Sequence, residues 1–131
     1  MTDNSSPAGR AVLVVDDEPH IRQVLAIKLR AAGYEVYLAE DGLKGLEIAR
    51  EKLPDVIISD FRMPNMDGLE MCDALLASPD TAKIPVILLT AYEGEVLREP
   101  LGERHIHSMM NKPFSPTELL RIVAEIFETE N

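Results

Sequence analysis

Cysteine and aromatic residues are scarce in this chain: one Cys, no Trp, three Phe and three Tyr. A lone thiol, Cys72, can form no internal bridge, and without a set of metal-type partners it points to a reducing compartment. Basic residues are short as well, since 13 Lys and Arg face 23 Asp and Glu for a net charge of −10. That excess repels phosphate backbones, and no Lys/Arg cluster with interleaved aromatics offsets it, so direct nucleic-acid binding is not expected. No apolar run approaches the roughly 20 residues needed to cross a bilayer, and Met1 to Arg10 has no apolar core of an export signal. The expected setting is therefore cytoplasmic, away from membranes. What is present is 131 residues of which 46% are hydrophobic, enough to bury a single core without disulfides or a structural metal.

Residues 1–10 carry no apolar period and read as a flexible leader, 11–129 as the domain and 130–131 as a C-terminal end. Within the domain, short apolar runs alternate with segments of helical period. The runs are Ala11 to Val15, Glu35 to Ala39, Val56 to Ser59, Val86 to Leu89 and, more weakly, Ile106 to Asn111. This pattern predicts βα units around a parallel sheet buried on both faces. Between the runs, one helical face is formed by Ile21, Val24, Leu25, Leu29 and Ala32, stopped by Gly33. A second face is formed by Leu43, Leu46, Ala49 and Leu53, ended by Pro54. A third runs through Leu69, Cys72, Leu75 and Leu76 and is closed by Pro79. The last helix has Ser115 as N-cap, Pro116 in its first turn, and Leu119, Ile122, Val123, Ile126 and Phe127 on its buried stripe. Gly94, Pro100 and Gly102 interrupt the segment between Tyr92 and Arg104, so only a short or bent helix is expected there.

In a doubly wound sheet ligands bind outside the carboxyl ends of the strands, near the reversal of strand order. The residues following the strands are Asp16 and Asp17 after the first, Asp60 after the third, Thr90 after the fourth and Lys112 after the fifth. Carboxylates about 4 Å apart repel by about 4 kcal/mol per pair at an effective dielectric near 20, so three together call for a cation or a raised pKa. A small site with oxygen ligands and room for water favours Mg²⁺ over a dedicated Ca²⁺ cage. A partly neutralised Asp60 could then act as a nucleophile toward a phosphoryl group, with Lys112 pairing one phosphoryl oxygen and the Thr90 hydroxyl donating to another.

Four ordered motifs carry a resemblance: Val14-Val15-Asp16-Asp17-Glu18, Asp60-Phe61-Arg62-Met63-Pro64-Asn65-Met66-Asp67-Gly68, Leu89-Thr90-Ala91 and Asn111-Lys112-Pro113-Phe114. With spacings of 43, 30 and 22 residues between Asp17, Asp60, Thr90 and Lys112, the chain resembles the response-regulator receiver domains of two-component signalling. The likeness extends from Ala11 to about Phe127. It implies a flavodoxin-like (βα)5 doubly wound α/β fold with five parallel strands in the order 2-1-3-4-5. Receivers are among the known examples of that order, so it follows from the likeness and not from the alternation alone.

The resemblance further implies that Asp60 is the phosphoacceptor, and that Asp16, Asp17, Asp60 and the backbone carbonyl of Arg62 hold Mg²⁺. Thr90 and Lys112 would meet the phosphoryl group, and the Lys112–Pro113 bond would be cis. The donor would be a histidine kinase or phosphotransfer protein, or a small acyl phosphate. Enzyme-like chemistry would be limited to the domain's own phosphorylation and dephosphorylation. Output would pass to a protein target through the fourth helix, fifth strand and fifth helix, or through homodimerisation, because no DNA-binding or catalytic effector segment is expected after Asn131.

One position departs from the pattern. Met109 stands where receivers usually carry Tyr or Phe, so a softer packing change would replace the turning of a ring. Arg62 and Tyr92, two residues after Asp60 and Thr90, would flank the path of attacking water and slow hydrolysis.

Three other readings compete. A Mg²⁺-dependent phosphohydrolase of the haloacid-dehalogenase type needs a second acid where Arg62 stands. A flavodoxin needs a first loop that cradles phosphate, which Asp16-Asp17-Glu18 would repel. A receiver-fold interaction module with non-standard activation is kept open by Met109. Plainer roles are expected elsewhere: Glu18 begins the first helix, Asp67 caps a helix or turn ahead of Gly68, and His20 is solvated. His105 and His107 face one side of a strand without a third metal ligand in the sequence. Cys72 is inert core, and Glu125, Glu128 and Glu130 oppose the dipole of the last helix and favour fraying.

Overall fold

The apolar runs become strands and the periodic segments become helices in the computed structural model, which describes residues 9–91 and 105–129. The order is β1 (Ala11–Val15), α1 (Pro19–Ala31), β2 (Glu35–Ala39), α2 (Gly42–Lys52), β3 (Val56–Asp60), α3 (Gly68–Leu75), α4 (Pro79–Ala82), β4 (Val86–Thr90), β5 (Ile106–Asn111) and α5 (Pro116–Thr129). The five strands form one sheet in the order β2-β1-β3-β4-β5, and every pairing is parallel. This is the doubly wound, flavodoxin-like topology. The expected segment between Tyr92 and Arg104 lies outside the described residues, as do residues 1–8 of the expected leader.

Alternation along the central strands divides the core into two layers. Leu13, Val15 and Ile57 point toward the layer that holds Leu46, Ala49, Met71, Cys72 and Leu75 of α2 and α3. Val12, Val14 and Ile58 point the other way, onto Leu25 and Leu29 of α1 and Leu119, Val123, Ile126 and Phe127 of α5. Each fully buried aliphatic side chain contributes on the order of 1.5–3 kcal/mol. The central strands are thus anchored from both sides, and their carboxyl ends are held in fixed relation.

Helix ends follow local chemistry. Gly33, at φ 102°, ends α1 in a Schellman motif: Tyr34 N–H donates to the Leu29 carbonyl at 3.1 Å and Gly33 N–H to that of Arg30 at 3.0 Å. Asp67 and Glu70 form a reciprocal capping box at the start of α3. Ser115 Oγ accepts from Glu118 N–H at 3.2 Å to cap α5.

Three expectations are corrected. The buried face of α2 is Gly42, Gly45, Leu46 and Ala49, while Leu43 and Leu53 are 50% and 48% exposed. The reason is close approach: a Cβ on Gly45 would lie 2.9 Å from Val15 Cγ2, so the glycine lets the helix settle onto β1. Leu53 is the left-handed cap at φ 48° and turns away from the core. In α1 the inward position is Ala26, and Ala32 is exposed. Pro79 does more than close α3, since it opens the short helix α4 at a position where its missing N–H costs nothing.

Candidate metal centre

Reversal of strand order places β1 and β3 side by side at the centre of the sheet, with Val15 in register with Ser59. The residues that follow each position, Asp16 and Asp60, therefore emerge together at the same rim. Asp16 is fully buried, Asp60 is 7% exposed, and Asp17 is exposed. One oxygen from each of the three carboxylates can be chosen so that all lie within 4.8 Å of one another. No other group of three or more His, Cys, Asp or Glu is so gathered among the described residues.

Lys112, just beyond β5, reaches across the rim. Its Nζ lies 3.2 Å from Asp16 Oδ2, 3.2 Å from Asp60 Oδ2 and 3.4 Å from Glu18 Oε1. Its own backbone N–H donates to the Thr90 carbonyl at 2.8 Å, which ties the end of β5 to the end of β4. Asp16 is held rigidly, with Oδ1 accepting from Glu18 N–H at 2.9 Å and its carbonyl accepting from Arg22 Nη1 at 2.6 Å. The Ser59 hydroxyl donates to the Asp60 carbonyl at 2.9 Å. The Lys112–Pro113 peptide bond is cis.

The electrostatics show a site short of positive charge. Burial, followed by the Asp16 charge, pushes the Asp60 carboxyl up to about 6 against the partial relief given by Lys112. Burial also raises Asp16, although the Glu18 N–H and Lys112 pull the other way. Burial alone would lower Lys112, but the charges of Asp16 and Asp60 outweigh it and its ammonium is held above the usual range. One ammonium thus serves three carboxylates, those of Asp16, Glu18 and Asp60, with Asp17 a fourth acid beside them. A hard divalent cation with oxygen ligands fits this donor set.

The remaining expected residues fall as follows. Thr90 is buried at the end of β4, in register with Asn111. Arg62 is exposed, its guanidinium 5.5 Å from the Phe61 ring centroid. Met109 is 39% exposed on β5. Tyr92 lies outside the described residues. Both His105 and His107 are exposed; His105 Nδ1 meets the Lys83 carbonyl at 2.5 Å and His107 Nδ1 the Ser108 hydroxyl at 2.6 Å.

Sequence reasoning missed two features. Glu18 stands at the N-cap position of α1 without capping it by its side chain, and its carboxylate joins Lys112 instead. Asn65, at φ 70°, donates from Nδ2 to Asp41 Oδ2 at 2.9 Å. An Asn that follows Pro64 in a turn signals left-handed backbone, but nothing local to it names a partner 24 residues away.

Comparison with known proteins agrees with this geometry. The sequence profile described as Response regulator receiver domain matches residues 12–124. A DNA-binding dual master transcriptional regulator of Synechocystis is 37% identical over 110 residues, 83% of this chain but 45% of that protein. The chain thus spans less than half of that regulator's length. The chemotaxis response regulator CheY4 of Vibrio cholerae superposes with a TM-score of 0.80 at 35% identity, covering 89% of this chain and 98% of the other. The receiver domain of a Pseudomonas aeruginosa sensor histidine kinase, with a magnesium ion coordinated in its active-site cleft, gives 0.82 at 31% identity, covering 92% and 99%. Profile, relatives and strand order converge: the chain belongs to the response regulator receiver domain family.

Proposed function

We propose that this domain is a phosphorylation switch in which Asp60 reversibly carries a phosphoryl group. The observation behind this reading is the convergence of Asp16, Asp17 and Asp60 at the rim where β1 and β3 meet, with Lys112 against Asp16 and Asp60. In the transfer, an Asp60 Oδ attacks phosphorus, a P–O bond forms, and the P–N bond of a donor phosphohistidine breaks. The freed imidazole nitrogen leaves with the electron pair and is protonated. The donor is a histidine kinase or phosphotransfer protein, met in the cytoplasm; a small acyl phosphate serves the same chemistry, with a P–O bond broken in its place.

Mg²⁺ would be held by Asp16, Asp17, Asp60 and the Arg62 carbonyl, and when bound it offsets charge on carboxylate and phosphoryl oxygens. Lys112, already 3.2 Å from Asp60 Oδ2, then pairs with a phosphoryl oxygen, and the Thr90 hydroxyl donates to another. Arg62, two residues after Asp60, would restrict attacking water and lengthen the life of the acyl phosphate; the same role expected of Tyr92 concerns a residue outside the described ones. The signal leaves through a face that includes β5 and α5, toward a protein target or a second copy of the chain, with Met109 in place of the usual ring.

Intact mass after incubation with acetyl phosphate and Mg²⁺ tests the reading. Wild type is expected to gain one phosphoryl group and Asp60→Asn none. Equal gain by both would remove Asp60 from the role.

A further inference from the structure

The loop joining β3 to α3 follows directly on Asp60 and carries Arg62, whose carbonyl is the backbone ligand proposed above, so the seating of this loop bears on the site. Short backbone contacts tether it at its two ends. Phe61 N–H donates to the Leu89 carbonyl at 2.8 Å, and Gly68 N–H returns to the Phe61 carbonyl at 2.8 Å. Between those tethers the loop rests on another element, the first turn of α2. Asn65 Nδ2 donates to Asp41 Oδ2 at 2.9 Å, while the other Asp41 oxygen caps α2 by accepting from Lys44 N–H at 2.8 Å.

Next to this bridge the two backbones nearly touch. A Cβ built on Gly42 would lie 2.2 Å from the Met66 carbonyl oxygen and 2.9 Å from its carbon. Gly42 does not need glycine for its backbone angles, because the described glycines at positive φ are Gly9 and Gly33. It is glycine because the loop lies against it.

We propose that the start of α2 is a positioning element for the phosphoryl site: Asp41 and Gly42 seat the β3–α3 loop through Asn65 and Met66, and thereby set the affinity of the site for a divalent cation. Neither Asp41 nor Gly42 belongs to the carboxylate cluster. They act on it through the loop that supplies a backbone ligand, and this inference rests on the reading of that loop given above. One carboxylate thus has two duties, one oxygen starting a helix and the other holding a loop that belongs to a different βα unit.

The test compares wild type with Asp41→Ser, Gly42→Ala and the swap Asp41→Asn with Asn65→Asp. The Asp41→Ser change keeps a capping oxygen but leaves no second oxygen for Asn65. The swap keeps a donor and an acceptor across the bridge. Mg²⁺ titrations followed by amide chemical shifts give the affinity, and initial phosphoryl uptake from acetyl phosphate at saturating Mg²⁺ gives the chemistry. Asp41→Ser is expected to weaken Mg²⁺ about fivefold, the size of one net hydrogen bond, with Gly42→Ala weakening it at least as much. Uptake at saturating Mg²⁺ should stay within about twofold of wild type, and the swap should restore affinity.

Folded Asp41→Ser and Gly42→Ala proteins that bind Mg²⁺ as wild type does would overturn the proposal. So would a swap that stays weak beside a weakened Asp41→Ser. If wild type binds Mg²⁺ but takes up no phosphoryl group, the functional reading above falls, and the titrations still decide the role of α2.

Discussion

Asp60 owes its weakened acidity first to burial and then to the charge of Asp16, which shares its rim. A carboxyl raised to about 6 binds its proton more tightly in the folded than in the unfolded chain, where a value near 4 is usual. Its contribution to stability is therefore fully present below pH 4 and is lost as pH rises through 6. The loss amounts to at most about 3 kcal/mol for a shift of about two units. Asp60→Asn, uncharged throughout, is expected to be more stable than wild type at pH 7 in the presence of a chelator, with the gap closing toward pH 4. Urea titrations at the two pH values measure it. A gap of the same size at both would show that Asp60 ionises in the folded chain as freely as in water.

At the scale of elements, strands are the most legible part of the sequence. Parallel strands buried on both faces must be continuous apolar runs, and Val12 to Val15, Val56 to Ile58 and Val86 to Leu89 are fully enclosed as such. Asp16 and Thr90 are legible for a related reason, since each is the first polar residue after its run, whereas Asp60 follows Ser59 and Lys112 follows Asn111, so those two are legible chiefly from the motifs around them. Helix faces are harder to read. Hydrophobic periodicity weights Leu above Gly, so it draws the α2 face through Leu43 and Leu53, when the side that approaches β1 is lined by glycine and alanine. Contacts between loops, such as Asn65 on Asp41, leave no periodic trace at all. The corrected face makes a direct prediction by urea unfolding. Leu46→Ala is expected to cost about 2–5 kcal/mol, as for a filled core position. Leu43→Ala should stay within about 0.5 kcal/mol of wild type. Equal costs would restore the face drawn from periodicity.

For the molecule as a whole, the acids gather on one rim, and β5 and α5 belong to the face proposed above as the outlet. Along β5 residues alternate half-buried and exposed. Met109 sits on the open side of this edge strand, three residues before Lys112. β5 is thus one direct link between the rim and this face, because Lys112 follows its last residue. Met109→Ala should leave phosphoryl uptake within about twofold of wild type but reduce the phosphorylation-induced amide shifts of β5 and α5 by about half or more, through loss of a flexible, polarizable contact. Unchanged shifts would mean that the signal bypasses this position.

Lys112 meets Asp16 across 96 positions of chain, and this separation bears on how the protein is made. During synthesis the acids of β1 and β3 leave the ribosome well before the lysine does. A nascent chain halted ahead of residue 112 would hold its acidic rim without the ammonium that answers it. The first strands can pair early, yet their carboxyl ends stay mutually repulsive until the last strand is in place. Completion of the sheet and arrival of the rim's ammonium are then one event for a chain emerging from its N-terminus.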